Sequence, residues 1–233
     1  VKLCDFGLCR SVAPLTPDEW PANRPVLTDY VATRWYRSPE VLLGSTKYTK
    51  GIDLWSIGCI LGEMLSHRPL LPGNSTMNQI ERILDLTGVP TEEDVSAMQS
   101  PFAVTMIENI GGGGGERVCL SDVCSGASEE ALDLIHQCLK FNPTKRCSAE
   151  MALRHPYVAE FHDPAFEPVY PHGPIKIDVD DNTKLSANDY RERLYAEIQV
   201  RRKEARVKHH DNARARGSLA NAMGQTDTDP NIE

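Results

Sequence analysis

The chain has 233 residues, of which 25% are charged and 40% hydrophobic, and its formal net charge is −8 at pH 7. This composition is ordinary for a globular protein with one sizeable core, and the negative charge argues against a general affinity for nucleic acid. Seven scattered cysteines without paired CxxC spacing favour free thiols over a disulfide framework or a zinc site. The sequence shows no secretory signal, and no uncharged apolar run reaches the roughly 18 residues that a membrane span needs.

The first elements in chain order are a short strand and a long loop. Residues 1–4 resemble the end of a strand that leads into a turn at Gly7. The chain begins within this strand at Val1 and not at Met, which predicts that an N-terminal part is missing. Residues 11–27 contain four prolines and no hydrophobic period, and this pattern predicts a mobile surface loop.

Helices are predicted from residue 39 onward. Residues 39–44 have Pro at the start and Gly at the end, which is typical of a short helix. Residues 52–67 are apolar at nearly every position, which predicts a helix buried on all sides. The hydrophobic period and the stop at Gly88 predict a helix over residues 76–87. Further helices are predicted over residues 128–141, 148–155 and 186–203.

Two segments carry biased composition. Residues 111–115 are five consecutive glycines, and because the Lys-Ser/Thr of a phosphate-binding loop does not follow, they predict a flexible linker. Basic residues outnumber acidic ones over residues 201–216. This segment is open to three interpretations, namely a localisation signal, a contact with an acidic surface, or a solvated helix end.

Three motifs lie close together near the start of the chain: Asp5-Phe6-Gly7, Thr28-Asp29-Tyr30 and Ser38-Pro39-Glu40. An Asp-Phe-Gly followed at loop length by a Pro-Glu brackets the activation segment of protein kinases. The whole stretch resembles the activation lip of a mitogen-activated protein kinase, a Ser/Thr kinase of the CMGC group. The resemblance extends to about residue 205, and the sequence of the C-terminal extension is similar to that of the atypical extracellular-signal-regulated branch.

The resemblance implies a mainly α, protein-kinase-like fold that comprises the C-terminal (large) lobe and a C-terminal helical extension. The lobe would cover residues 1–157, with the activation segment at 5–40 and a family insert at 90–127. The extension would cover residues 158–205, and residues 206–233 are predicted to form a disordered tail.

The resemblance also implies ATP and Mg²⁺ as cofactors. Asp5 would coordinate the magnesium ion that bridges the ATP phosphates, and Cys4 would line the back of the nucleotide pocket. Phe6 would pack inward. Thr33 would support a catalytic aspartate that this sequence does not contain, and the strand lysine of kinases is not found either. The fragment alone is therefore predicted to be inactive.

Thr28 and Tyr30 are the implied phosphorylation switch. By resemblance, Arg10 would bind the phosphate on Thr28, whereas Arg34 and Arg37 would bind the phosphate on Tyr30. Each phosphate adds roughly −1.5 to −2 charge, so its pairing with arginine would order the segment. The activating enzyme would be an upstream dual-specificity kinase or the protein itself.

The implied partners are proteins. The segment from Arg34 to Arg37 would form a pocket for proline, which points to Ser/Thr-Pro substrates. Asp163 and Glu167 would form a docking patch for basic motifs, although Phe166 occupies a place where a second acidic residue is common. Ordinary surface carboxylates are the alternative interpretation of this pair.

Three residues are implied to be structural. Glu40 would pair with Arg146, and Asp53 would hold the backbone of the absent catalytic loop. The implied function is a proline-directed protein kinase in a signalling cascade of the cytoplasm, the nucleus or both. The alternative is a non-catalytic docking or scaffold module made of a kinase large lobe.

Overall fold

The computed structural model describes residues 4–9, 33–45, 49–111, 117–167, 170–171 and 185–223, with only the backbone at residues 8, 208 and 210–223. The chain divides into two compact units, Val1–Asp178 and Val179–Glu233. The described residues form helices and turns, with short 3₁₀ turns at Phe6–Leu8, Arg34–Tyr36 and Ala159–Phe161. The α-helices are α1 (Pro39–Leu42), α2 (Gly51–Ser66), α3 (Thr76–Thr87), α4 (Glu92–Ala97), α5 (Ala103–Asn109), α6 (Leu120–Val123), α7 (Glu129–Cys138), α8 (Ala149–Leu153) and α9 (Ala187–Met223).

Serine caps fix the starts of α3, α7 and α8. The hydroxyl of Ser75 accepts a hydrogen bond from the N–H of Asn78 at 3.1 Å, and Ser128 and Ser148 cap their helices in the same way. Such a cap satisfies one of the backbone donors that a helix start leaves unpaired. Gly88, at φ 84°, ends α3 in a conformation that favours glycine, so the predicted helix over residues 76–87 is confirmed at both ends.

The core of the first unit forms where α2 packs against α7. Trp55, Cys59 and Ile135 are almost fully buried there. Gly58 makes this contact possible, because a Cβ atom at that position would lie 2.8 Å from the Cβ atom of Cys138. The two helices thus approach more closely than any side chain at position 58 would allow.

The exposure of one face of α2 contradicts a prediction from the sequence. The sequence predicts a helix buried on all sides, but Ile57 and Ile60 are each 49% exposed and Met64 is 66% exposed. Its other faces contact α7 and the 3₁₀ turn at Arg34–Tyr36. An apolar composition shows only that a helix side can be buried, and within the described part of the chain no element covers this stripe.

The cysteines that the sequence predicts to be free thiols are free. Burial raises the pKa of Cys59 to about 12. Among the described helices, none combines the length and apolar character needed to cross a bilayer.

Residues 90–127, where the resemblance implies a family insert, contain short helices that the sequence analysis did not predict. The first of these helices, α4, begins with a capping box in which Thr91 and Asp94 exchange hydrogen bonds. Asp94 also accepts hydrogen bonds from the side chains of Asn142 at 2.9 Å and Lys145 at 2.7 Å, which connects α4 to the loop before α8. Most of the predicted glycine linker lies outside the described residues.

Replacing Asp94 with asparagine is expected to lower the free energy of unfolding by about 1–2 kcal/mol at pH 7. The hydrogen bond from Lys145 holds the pKa of Asp94 well below its usual range. Its stabilising contribution is therefore complete above the unfolded-state pKa of about 3.9 and is lost as the pH falls through the lower folded-state pKa. Urea unfolding of both proteins at pH 7, 4 and 3 measures this effect. A stability difference that stays constant over this range would contradict it.

The second unit contains α9, which is longer than predicted. The helix was expected to end near residue 203, but its backbone continues to Met223, into the segment that was predicted to be disordered. The physical reason is composition: residues 205–216 contain three Ala, three Arg and one Lys, which have high helix propensity. Among the described side chains of α9, Tyr190, Leu194 and Ile198 are about half exposed.

Candidate functional site

Asp5 lies in a left-handed turn at the start of the described chain. Its φ of 63° is unusual for a residue with a side chain, although aspartate and asparagine tolerate it better than most. The 3₁₀ turn at Phe6–Leu8 follows directly, and both Cys4 and Asp5 are exposed. An exposed carboxylate is a hard oxygen donor, so Asp5 fits the magnesium ligand that the resemblance implies.

The position of Phe6 corrects a second expectation. The resemblance implies an inward-packing ring, but Phe6 is 66% exposed. A phenyl ring is buried only where apolar side chains cover it. Neither hydrophobic cluster of the described residues includes Phe6.

The segment Thr33–Arg37 is attached at three points to the helical core. The indole N–H of Trp35 donates to the carbonyl of Gly73 at 2.9 Å. The Tyr36 hydroxyl donates to the carboxylate of Glu63 at 2.6 Å, and the Ser56 hydroxyl donates to the carbonyl of Tyr36 at 3.0 Å. The hydrogen bond to Glu63 raises the pKa of Tyr36. These contacts hold the segment on α2 and on the loop before α3, and the sequence analysis predicted none of them.

Two arginines of this segment were predicted to bind phosphate. Arg34 is half-buried, and its Nε atom is buried without a hydrogen-bond acceptor in the described structure. Arg37 is also half-buried. Their predicted partner, Tyr30, lies outside the described residues, as do Arg10 and Thr28. Thr33, the predicted support of the catalytic aspartate, is exposed at the start of the segment.

Glu40 and Arg146 form the pair that the sequence predicted. The Nη1 atom of Arg146 lies 2.8 Å from Oε1 of Glu40, and Nη2 lies 3.0 Å from Oε2. Both side chains are buried, at 0% exposure for Arg146 and 2% for Glu40. This bidentate geometry joins α1 to the loop before α8 across 106 positions of the sequence.

Every N–H of the Arg146 guanidinium has an acceptor. Besides Glu40, Nη1 donates to the carbonyl of Gly51 at 2.6 Å, and both Nε and Nη2 donate to the carbonyl of Lys140. The guanidinium carbon also lies 5.2 Å from the ring centroid of Trp55, within cation–π distance. The buried charge is therefore both paired and fully hydrogen-bonded, which is the condition under which burial is tolerated.

Asp53 lies in the first turn of α2, where a negative charge suits the helix dipole. Its side chain is exposed and lies on the same side of the helix as the exposed stripe Ile57, Ile60 and Met64. The predicted role of Asp53, holding a catalytic loop, concerns residues that this chain does not contain and stays a prediction.

The two predicted docking carboxylates belong to one tight turn. Glu167 accepts a hydrogen bond from the backbone N–H of Asp163 at 3.2 Å, and its carboxylate lies 2.7 Å from Nδ1 of His162. Asp163 is exposed, whereas Glu167 is half-buried. Phe161 and Phe166, at 81% and 85% exposure, lie beside them. The turn presents one exposed acidic residue together with two aromatic rings.

A cavity of about 450 Å³ opens beside Arg146, lined by residues that include Lys50, Leu54 and Ser148. Cys4 and Asp5 do not line it, so it is not the predicted nucleotide site.

The comparisons with known proteins agree with these motifs. The model of the protein kinase domain family matches residues 1–158. The chain is 53% identical over 208 residues to extracellular signal-regulated kinase 2 of Dictyostelium discoideum, a match that covers 89% of this chain and 55% of that protein. It is 45% identical over 232 residues to mitogen-activated protein kinase 15 of Xenopus laevis, a match that covers 98% of this chain and 39% of that protein.

The chain belongs to the protein kinase domain family, and the relatives that it resembles are mitogen-activated protein kinases. The solved structure of a MAP kinase from Leishmania major matches with a TM-score of 0.54 and 39% identity over 58% of this chain and 44% of that one. The fold is that of the large lobe of a protein kinase, as predicted. The chain spans about half the length of the curated relatives it matches.

Proposed function

We propose that the protein containing this chain is a proline-directed Ser/Thr protein kinase that transfers the γ-phosphate of ATP to Ser/Thr-Pro sites. The observation that carries the proposal is the segment Thr33–Glu40, which ends in the buried Glu40–Arg146 pair and is fixed on α2 by Tyr36. A substrate-binding segment needs such a rigid support, because phosphoryl transfer depends chiefly on positioning and charge stabilisation.

Asp5 is the residue of this chain that would hold a magnesium ion on ATP. The ion would neutralise negative charge on the phosphates. The contribution of Asp5 is a carboxylate charge presented in a fixed left-handed turn. Cys4, next to it, would line the nucleotide pocket.

Phosphorylation of Thr28 and Tyr30 would switch the enzyme on. The support for this step is the half-buried Arg34, whose buried Nε atom lacks an acceptor among the described residues. A phosphate supplies strong acceptor oxygens, so it would satisfy this donor and bring the loop onto the segment. By resemblance, Arg10 would bind the phosphate on Thr28, and Arg37 would join Arg34 at the phosphate on Tyr30.

The substrate would bind on the segment from Arg34 to Arg37. Proline has no N–H, so a pocket that offers no acceptor beside the phosphorylated residue prefers it to other residues. Protein partners with basic motifs would dock at Asp163 and Glu167, close to Phe161 and Phe166. These partners would meet the kinase in the cytoplasm, the nucleus or both.

The exposed stripe of α2 supports the proposal that the kinase has a further part that covers this helix. Ile57, Ile60 and Met64 form an apolar surface next to Asp53, where the resemblance places the catalytic loop. In the whole protein this surface would be covered by the part of the large lobe that contains the catalytic loop.

A kinase assay on a full-length reading frame that contains this chain tests the proposal. We expect phosphorylation of a Ser-Pro peptide at least about tenfold faster than of the matching Ser-Ala peptide, since one lost polar contact is worth roughly 1.5 kcal/mol. Thr28→Ala and Tyr30→Phe should each lower the rate by about tenfold or more. Thr105→Ala, an exposed threonine of α5, is the matched control and should leave the rate unchanged.

The absence of ATP turnover in that full-length protein would contradict the proposal. The non-catalytic docking or scaffold module would then be the better interpretation. The turn at Asp163, with its exposed carboxylate and two exposed aromatic rings, is the observation that favours this second candidate. Binding of a basic peptide without phosphate transfer would distinguish it.

A further inference from the structure

We propose that Gln79 is a positioning residue for the substrate segment, acting through Gly73 and Trp35. The inference rests on the proposed function for its link to substrate choice, but its structural part stands on hydrogen bonds of this chain. Gln79 lies in the first half of α3, and the segment it would position is Thr33–Arg37.

Gln79 is a buried polar residue on an otherwise apolar helix face. It is 0% exposed, like Ile80 and Ile83 beside it. A buried amide is tolerated only if both its donor and its acceptor find partners. The Nε2 atom of Gln79 donates to the carbonyl of Leu71 at 3.0 Å, and its Oε1 atom accepts from the N–H of Gly73 at 3.1 Å. The side chain therefore clamps the backbone of residues 71–73 onto α3.

Gly73 allows this clamp to close. A Cβ atom at this position would lie 2.7 Å from the Cα atom of Gln79 and 2.9 Å from its Cβ atom, and it would also clash with Oε1. No side chain fits between the loop and α3. The backbone of Gly73 is thus held directly against Gln79 and takes its position from that residue.

The carbonyl of Gly73 faces the substrate segment. It accepts the indole N–H of Trp35 at 2.9 Å, over a separation of 38 positions in the sequence. Two hydrogen bonds therefore link the Gln79 amide to Trp35 through the backbone of one glycine. The N–H and the carbonyl of Gly73 lie in adjacent peptide groups that share its Cα atom, so a shift of the N–H away from Gln79 also moves the carbonyl that accepts from Trp35.

Trp35 lies between the two ends of the proposed proline pocket. Arg34 precedes it and Tyr36 and Arg37 follow it. The backbone carbonyl of Tyr36 is held separately by Ser56 on α2. Loss of the Gly73 contact would therefore let the Trp35 side of the pocket shift while the Tyr36 side stays attached. A pocket that is displaced on one side loses shape selectivity before it loses catalytic groups.

The first test is structural and needs no kinase activity. In this chain, Gln79→Met keeps the side-chain length and removes both amide hydrogen bonds. We expect faster hydrogen exchange and a shifted NMR resonance of the Trp35 indole N–H, assigned with Trp35→Phe. Ile83→Val, another change at a fully buried residue of α3, is the control for a general loss of stability and should leave that resonance in place.

The second test uses the full-length kinase. Gln79→Met should reduce the preference for a Ser-Pro over a Ser-Ala peptide about threefold to tenfold, mainly through the KM for the peptide, with kcat and the KM for ATP unchanged. Trp35→Phe should do the same. The double variant should lose no more than the larger single effect, because both changes break the same link. Ile83→Val should alter none of these values.

Two outcomes would overturn the inference. One is an unchanged Trp35 indole exchange in Gln79→Met, whether or not the full-length protein is active. The other is an active kinase in which Gln79→Met disturbs Trp35 and the Ser-Pro preference stays the same. A full-length protein with intact Gln79 that transfers no phosphate contradicts the proposed function instead, and the indole measurement separates these two failures.

Discussion

Replacing Arg146 with methionine is expected to lower the free energy of unfolding of this chain by about 3–5 kcal/mol. The change leaves the carboxylate of Glu40 buried at 2% exposure without its positive partner. It also removes the donors to the carbonyls of Gly51 and Lys140. Methionine fills much of the same volume, so the lower free energy of unfolding results mainly from the lost charge and hydrogen bonds and not from a cavity.

The neighbouring residue supplies a matched control. Lys145 also pairs with a carboxylate, at 2.7 Å from Asp94, but its side chain is 47% exposed. An exposed ion pair contributes about 0–1 kcal/mol, so Lys145→Met should cost far less than Arg146→Met. Urea unfolding followed by tryptophan fluorescence measures both, since the buried ring of Trp55 lies under the Arg146 guanidinium.

A double-variant cycle separates the pair from its surroundings. Glu40→Met alone leaves the guanidinium buried without a negative partner, and the combined Glu40→Met and Arg146→Met variant leaves neither charge. We expect the double variant to be more stable than the sum of the single losses predicts. If Arg146→Met costs no more than Lys145→Met, the pair does not anchor the segment as described. Glu40→Gln, which keeps the shape, provides a milder variant should Arg146→Met fail to fold.

Local signals in the sequence were sufficient for some elements. The helix over residues 76–87 was predicted correctly from its hydrophobic period and its glycine stop at Gly88, and the structure adds a serine cap at Ser75. The helices within residues 90–127 were not predicted, because α4, α5 and α6 are too short to show a hydrophobic period. The Thr91–Asp94 capping box was a signal that could have identified α4.

Other features depend on contacts between distant parts of the chain. The clamp at Gln79 joins residues that lie close in sequence. Its link to the substrate segment depends on the hydrogen bond between Trp35 and Gly73, which are 38 positions apart. The Glu40–Arg146 pair spans 106 positions and was predicted only because the motifs resembled a known family. Without that resemblance, two charged residues would have been expected at the surface.

Burial was the property least accessible from the sequence. Composition alone predicted that α2 is covered on all sides and the resemblance implied that Phe6 packs inward, yet both expose apolar surface. Hydrophobic residues indicate that a surface can be buried. Which element buries it is decided only in the assembled protein. The same limit applies to α9, whose apolar side chains Tyr190 and Leu194 are about half exposed.

For the proposed full-length kinase, replacing Asp5 with asparagine is expected to lower phosphate transfer about a thousandfold or more. Charge stabilisation through a bound metal ion is worth several kcal/mol, and about 4 kcal/mol corresponds to a factor of roughly a thousand in rate. Asparagine is the informative substitution because it tolerates the left-handed φ of 63° at this position as well as aspartate does. The turn is then preserved and only the negative charge is removed.

The exposed Asp122, in the first turn of α6, provides the matched control, since Asp122→Asn removes the same charge outside the turn at Asp5. Asp122→Asn should leave the rate unchanged, and both variants should unfold at the same urea concentration as the original chain, because Asp5 is exposed and not part of either hydrophobic cluster. Residual activity of Asp5→Asn should need a higher Mg²⁺ concentration, since one hard oxygen ligand has lost its charge. A rate and a Mg²⁺ requirement equal to those of Asp122→Asn would show that the Asp5 carboxylate does not act on the metal, and the assignment of this motif would then be wrong even in an active kinase.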